Sequence, residues 1–316
     1  MTQGALVLEQ EPLPQQRAAG TLLRNERLAE YTSWRVGGPA DRLYLPADSV
    51  DLIGFLAAVP PGERVYWLGL GSNLLVRDGG IRGLVVCTKG RLKQLQRLER
   101  ETIFAESGVP CAHVAKFCAE LGWVGAEFLA GIPGTLGGAL AMNAGAFGGA
   151  TWNLVERVRT VDRCGVPNWR GRSEFTVGYR TVEGLKPDEW FVGAELRLRP
   201  GDAADSRRRI RELLARRAES QPTNLPSCGS VFRNPAGDHA GRLIEASGLK
   251  GFRIGGAEVS PKHANFIVNT GSASARDIEA LIRHVQAEVW RQQGVELRPE
   301  VRIVGEPAQG EEHGGD

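Results

Sequence analysis

Gly131-Ile132-Pro133-Gly134-Thr135-Leu136-Gly137-Gly138-Ala139 runs on to Met142-Asn143-Ala144-Gly145-Ala146-Phe147-Gly148-Gly149, and the reading of this chain turns on that stretch. A packed core segment does not carry so many glycines, because each gives up more backbone entropy on folding than any other residue. The run has no fixed period and is too short to be a fibrous or membrane-spanning element. Backbone wrapped closely round an extended cofactor diphosphate accounts for it better.

A second glycine cluster lies upstream, where the strand-like Val65-Tyr66-Trp67-Leu68 runs into Gly69-Leu70-Gly71-Ser72-Asn73-Leu74-Leu75. Two glycines permit positive φ, so consecutive N–H groups can converge on an anion, and Ser72 and Asn73 add side-chain donors. A strand ending in a Gly-Ser-Asn turn is also common without any ligand. There is no Walker lysine, and no G-x-G-x-x-G opens a helix, so neither a P-loop nor a Rossmann loop is indicated. Glycine is the compositional outlier, 41 of 316 residues, about 13 % against a usual value near 7 %.

The rest of the chain reads as ordinary α+β protein. Further strands are expected at 84–87, 102–105 and 191–199, the last stopped by Pro200-Gly201. Pro110 opens a helix with Val114, Phe117, Cys118 and Leu121 on one face, and Gly122 closes it. The texture changes at Pro200-Gly201-Asp202, which suggests a domain boundary. Asp205 can cap a helix through residue 220, whose Arg207, Arg208, Arg211 and Arg216 read as a solvated face. A short helix over 238–247 ends at Gly248. Ser274 and Asp277 make a capping box for a helix with the stripe Ile278, Leu281, Ile282, Val285 and Val289, ended by Gly294. Residues 295–304 alternate, with Glu300 and Arg302 on one face of the expected strand. Residues 1–22 are expected to be a flexible arm and 306–316 a disordered tail.

Charge and cysteine usage narrow the function classes. The 39 Lys+Arg nearly balance the 37 Asp+Glu, which disfavours a dedicated nucleic-acid binder. No apolar run is long enough for a membrane span, and the first residues lack a basic segment followed by an apolar one, so no secretory signal is expected. Cys87, Cys111, Cys118, Cys164 and Cys228 are odd in number and form no CxxC pair, consistent with reduced thiols in the cytoplasm and no metal site.

The order and spacing of several motifs resemble the UDP-N-acetylenolpyruvoylglucosamine reductase family, from about Thr32 to Gly305. They are Thr32-Ser33-Trp34-Arg35-Val36-Gly37-Gly38-Pro39-Ala40, the 68–75 and 131–148 glycine stretches, Gly178-Tyr179-Arg180, Gly229-Ser230-Val231-Phe232-Arg233-Asn234-Pro235, Leu249-Lys250-Gly251 and Arg298-Pro299-Glu300-Val301-Arg302. The resemblance implies an α+β fold: an FAD-binding module of the vanillyl-alcohol-oxidase (PCMH) type in two lobes over 23–200, then a substrate domain over 204–305. It implies NADPH-dependent reduction of the enolpyruvyl group of UDP-N-acetylglucosamine-enolpyruvate, in peptidoglycan precursor synthesis. FAD would be non-covalent, held by Arg35, Gly37, Gly69, Gly71, Ser72, Asn73, Leu74, Gly131, Ile132, Pro133, Gly134, Gly137, Gly138, Asn143, Gly145, Ala146, Gly148 and Tyr179.

By the same resemblance Arg180, Ser230 and Glu300 are the catalytic residues. A guanidinium can fork onto a carboxylate, a serine can donate a proton if geometry holds it, and a carboxyl can serve as an acid if burial raises its pKa. Arg233, Asn234, Lys250, His263 and Arg302 would bind the UDP-sugar substrate. The short interval from Arg180 to Trp190 is similar to the type that lacks an extra substrate-covering loop. Two other readings remain: an FAD-dependent oxidase of the same superfamily, or a non-catalytic nucleotide-sugar binder. Without the resemblance, Glu300 and Arg302 read as a surface ion pair of little worth. A monomer is expected.

Overall fold

The computed structural model describes residues 19–308. Helices are α1 (Ser49–Ala57), α2 (Cys111–Glu120), α3 (Leu136–Ala141), α4 (Ala203–Ser220), α5 (Ala240–Ala246) and α6 (Ala275–Gln293). No helix among the described residues is long and apolar enough to cross a membrane.

The first lobe is a four-stranded sheet in the spatial order Thr21–Arg27, Pro39–Leu45, Ile81–Cys87, Val65–Leu68. Its first pair is antiparallel and the other two are parallel. Leu43, Leu68 and Val85 are buried on one face, and Tyr44, Leu84 and Val86 pack with Leu52 and Leu56 of α1 on the other. That alternation is the period-2 rule of a sheet covered on both sides. The second lobe is a five-stranded antiparallel sheet whose central strands are Val155–Asp162, Glu189–Arg197 and Thr102–Glu106. Helices α2 and α3 cover it through Val114, Cys118, Leu136 and Leu140.

The C-terminal domain builds its core on α6. Ile278, Leu281, Ile282, Val285 and Val289 are all at most 1 % exposed, each worth about 1.5–3 kcal/mol of gross burial. Trp34, Val36 and Leu75 of the first module complete this core. Trp34 Nε1 donates to the Ile267 carbonyl at 2.8 Å, and Asn269 Nδ2 donates to the Trp34 carbonyl at 2.9 Å. A parallel pair, Leu74–Val76 with Arg302–Val304, also ties the two parts together. Arg77 Nε and Nη2 reach the Glu279 carboxylate at 2.9 Å each.

Several expectations are corrected. The cap of α4 is Asp202, whose carboxylate accepts from Asp205 N–H at 2.8 Å, so the helix starts before Asp205. This helix packs against α2 and the turn Glu127–Gly131. Ser206 Oγ donates to Glu127 Oε1 at 2.7 Å, so by packing α4 goes with the first module. The alternation over 295–304 yields strand only at Arg302–Val304. Pro299 lacks an N–H, and the Glu300 N–H turns instead to the Val231 carbonyl at 2.7 Å. Thr21 and Leu22 belong to the first strand, not to an arm. Glu306 is likewise ordered, donating to Gly80 O at 2.8 Å and pairing with Arg82. Residues 1–18 and 309–316 lie outside the described residues.

Candidate active site

A cleft of about 470 Å³ is walled by both glycine stretches, one hairpin tip, the end of α4 and the C-terminal domain. Of the residues expected to hold a cofactor, Gly69, Gly71, Ser72, Asn73, Leu74, Gly131, Ile132, Pro133, Gly134, Gly138, Gly145 and Ala146 line it. Gly71 has φ +65°, a conformation that costs a side chain about 1–2 kcal/mol. A Cβ on Gly69 would come within 2.5 Å of Thr135 Oγ1, while one on Gly138 would meet no protein atom. The first glycine thus lets the two loops close on each other, and the second leaves backbone open to a ligand.

The residues present fit an elongated, phosphate- and hydroxyl-bearing ligand such as FAD. Thr135 Oγ1 and Trp67 Nε1 are buried without a hydrogen-bond partner, and both residues line the cleft. An unsatisfied buried polar group costs about 1–3 kcal/mol, which a bound ligand offering acceptors would relieve. The backbone N–H groups of residues 69–73 likewise have no backbone acceptor among the described residues. Four charged side chains line the cleft: Arg180, Arg217 and Arg302 against Glu300. That surplus of guanidinium suits an anionic ligand.

The structure brings Arg180, Ser230 and Glu300 to the same cleft. Arg180 sits at the tip of the hairpin formed by Thr176–Gly178 and Thr181–Glu183, in a left-handed conformation with φ +54°. Its Nη2 donates to the Gly145 carbonyl at 3.2 Å. Its Nε lies 2.6 Å from Glu300 Oε1. The contact is an ion pair between two largely buried groups. Burial raises the pKa of Glu300, against the opposing pull of Arg180 and Arg233. The Glu300 backbone is held from two sides, by Val231 O and by Asn73 Nδ2 donating to its carbonyl at 3.1 Å. Among the described residues no cluster of three His, Cys, Asp or Glu could hold a metal ion.

Other expected residues lie outside the lining. Arg35 is exposed, and Gly37 closes on Val76, where a Cβ would approach to 2.9 Å. Gly137 does the same against Ser107. Gly148 has φ +84° with open space beside it. Asn143 braces the hairpin instead, donating through Nδ2 to Gly178 O at 2.9 Å and accepting from Trp152 N–H at 3.1 Å. Tyr179 is 58 % exposed and lies outside the lining, with the Arg180 guanidinium over its ring at 5.3 Å from the centroid. Arg233 is not in the lining, and its charge opposes the burial that raises the Glu300 pKa. Asn234 accepts from Ala240 N–H at 3.1 Å, Lys250 pairs with Glu245 at 2.6 Å, and the His263 ring accepts from Asn265 N–H at 3.2 Å. Burial lowers the pKa of His263.

Sequence reasoning missed Thr135, Trp67 and Arg217. Arg217 stood in a run that reads as a solvated face, yet it lines the cleft. Its Nε donates to Gln221 Oε1 at 3.0 Å, burial lowers its pKa, and no carboxylate among the described residues pairs with it. The available signal was its place four residues beyond Leu213, the buried leucine of α4, which puts it on the same helix face.

The profile described as "FAD binding domain" matches residues 40–166, and that described as "UDP-N-acetylenolpyruvoylglucosamine reductase, C-terminal domain" matches residues 221–304. Fold and site therefore define an FAD-dependent oxidoreductase: a module of the vanillyl-alcohol-oxidase (PCMH) type in two lobes, followed by an α+β C-terminal domain. A protein named UDP-N-acetylenolpyruvoylglucosamine reductase from Methylococcus capsulatus is 65 % identical over 91 % of this chain and 94 % of its own length. One of the same name from Legionella pneumophila is 56 % identical over 91 % and 93 %. The crystal structure of such a reductase from Thermus caldophilus superposes with TM-score 0.76 at 32 % identity, covering 90 % of this chain and 98 % of that one. The chain belongs to the UDP-N-acetylenolpyruvoylglucosamine reductase family.

Proposed function

We propose that the cleft is where the enolpyruvyl group of UDP-N-acetylglucosamine-enolpyruvate is reduced to give UDP-N-acetylmuramate, a step of peptidoglycan precursor synthesis, with NADPH as reductant. FAD held by the glycine stretches would supply the chemistry the side chains lack, hydride transfer between NADPH and C3 of the substrate. The observation that carries the reading is that Arg180, Glu300 and Ser230 share one glycine-walled cleft with a surplus of guanidinium.

As hydride reaches C3, negative charge moves onto the substrate carboxylate and a proton must reach C2. Arg180 is the group to meet that charge, because its fork is tied at only one carbonyl and one ion contact. Ser230 donates the proton to C2. Glu300, with its pKa raised by burial, stands beside Arg180, where it can orient that guanidinium and exchange a proton close to the developing enolate. Arg217 and Arg302 hold the substrate's diphosphate, whose charges need just such unpaired guanidiniums. Only residues 184–188 separate the hairpin from the strand Glu189–Arg197, which supports the family type lacking a covering loop there.

We draw the division between the domains after Ser220, because α4 packs on the first module. We also place the enzyme in the cytoplasm as a monomer with no nucleic-acid partner. The support is the near balance of charge and five cysteines that are all free thiols.

The test is direct. Purified protein should be yellow, and NADPH oxidation should depend on the enolpyruvyl nucleotide-sugar. Ser230→Ala should leave FAD binding and FAD reduction by NADPH nearly unchanged, while reoxidation by substrate slows by about 10²–10⁴-fold. Reoxidation at the wild-type rate would remove Ser230 from the mechanism. A colourless protein would favour the nucleotide-sugar binder, and oxygen-dependent turnover the oxidase.

A further inference from the structure

A serine hydroxyl is a poor acid unless its geometry is held, and the backbone around Ser230 shows how it is held. Residues 226–232 run antiparallel to 265–269. Asn269 N–H donates to Pro226 O at 3.0 Å and Ser227 bridges Val268, whereas Val231 N–H donates to Asn265 O at 2.9 Å. Four steps on one strand therefore face three on the other, which is a one-residue bulge. The bulged residues are Cys228, Gly229 and Ser230, all in the cleft wall, with Gly229 at φ +79°. Bulges re-aim side chains next to active sites.

The bulge is closed by one side chain. Asn265, 3 % exposed, accepts from Phe232 N–H through Oδ1 at 2.9 Å and donates to Phe232 O through Nδ2 at 2.8 Å. Its amide thus occupies both hydrogen-bonding groups of Phe232, as a neighbouring strand would. The same short segment carries the second catalytic group, since Val231 O receives the Glu300 N–H and Arg233 N–H donates to Arg298 O at 2.9 Å. No other side chain among the described residues forks onto this segment.

We infer that Asn265 is the positioning residue of the proton-transfer step: its amide fork sets the bulge that projects Ser230 into the cleft in register with Glu300. The inference rests on Ser230 being the proton donor. It assigns Asn265 no contact with substrate or cofactor. An amide is needed because Phe232 presents one donor and one acceptor, both buried, and only a group with both functions in a planar fork satisfies them together.

Stopped-flow kinetics of the holoenzyme test this. Asn265→Ala should slow substrate-driven flavin reoxidation about 10–100-fold while FAD reduction by NADPH and the flavin spectrum stay within twofold of wild type. In a Ser230→Ala background the same change should add less than threefold, because it acts through the hydroxyl already removed. Where the alanine variant does not accumulate as folded holoenzyme, the isosteric Asn265→Asp carries the test. Its ionised carboxylate cannot donate to Phe232 O, so reoxidation relative to wild type should rise as pH falls and the carboxyl regains its proton. Equal slowing of both half-reactions, full additivity with Ser230→Ala, or a flat pH ratio for Asn265→Asp overturns the inference. Normal Asn265→Ala beside slow Ser230→Ala overturns it alone. Normal Ser230→Ala overturns the proton-donor reading and this inference with it.

Discussion

Arg180 Nε and Glu300 Oε1 stand 2.6 Å apart across the cleft, one on a hairpin of the FAD-binding module and the other on the C-terminal domain. Their side chains are only 20 % and 12 % exposed. Opposite charges this close would ordinarily pull a carboxyl pKa down, yet burial dominates and Glu300 is raised. The pair is therefore poised: an anion arriving beside Arg180 competes for the guanidinium, and a carboxyl that loses that partner moves further toward its protonated form.

Arg180→Lys should retain FAD and lose most turnover. An ammonium supplies charge but cannot contact Glu300, Gly145 O and a carboxylate in one plane. We expect kcat to fall about 10²-fold or more with the flavin spectrum unchanged; a wild-type kcat in the assay would exclude Arg180.

Glu300→Gln should show a stability difference that depends on pH. A carboxyl raised in the folded state favours folding most fully below its unfolded value and loses that contribution as pH rises through the folded value. The variant's Tm relative to wild type should thus increase from the ordinary carboxylate range upward, as followed by thermal denaturation of apoprotein at several pH values. A difference that shrinks with rising pH would contradict the raised pKa.

Glu279→Gln should behave in the opposite sense. Hydrogen bonds from Arg77 hold this carboxyl below its usual range, with Arg283 adding to the pull. Its contribution is present above the unfolded value and lost as pH falls through the folded one. At neutral pH the variant should lose about 1–3 kcal/mol, measured by urea denaturation, and the loss should fade in acid.

Thr135→Val should give effects of opposite sign on two quantities. Replacing a partnerless buried hydroxyl by a methyl should stabilise the apoprotein slightly, while the Kd for FAD should rise about five- to tenfold, near 1 kcal/mol. Titration of apoprotein with FAD, followed by flavin fluorescence, reads the second. An unchanged Kd would mean that the hydroxyl faces no ligand atom.

Arg217→Ala should raise KM for the nucleotide-sugar roughly ten- to hundredfold, the worth of a charged hydrogen bond, with KM for NADPH and kcat changed little. Steady-state kinetics separate this from a folding defect, which would lower the yield of holoenzyme without moving KM.

What residues declare to their chain neighbours was readable in advance. Ser274, Asp277, the Ile278–Val289 stripe and Gly294 place α6 with both its ends, because caps and periods act within a few residues. The strand Val65–Leu68 and both glycine stretches were legible for the same reason, and so was the family to which their order belongs. Local signals were less reliable where a partner lay elsewhere in the chain. Asp202 displaced Asp205 as the cap of α4, and the alternation over 295–301 yields no strand where Pro299 lacks an N–H and the Glu300 and Val301 N–H groups both turn to Val231 O. Only the tertiary structure decided that Trp34 plugs the C-terminal core, that Arg217 turns from a basic face into the cleft, and that Arg180 meets Glu300. Each of these depends on contacts between residues far apart in the chain, formed when burial closes two separately built cores on one another. No period along the sequence records which distant side chain will stand opposite.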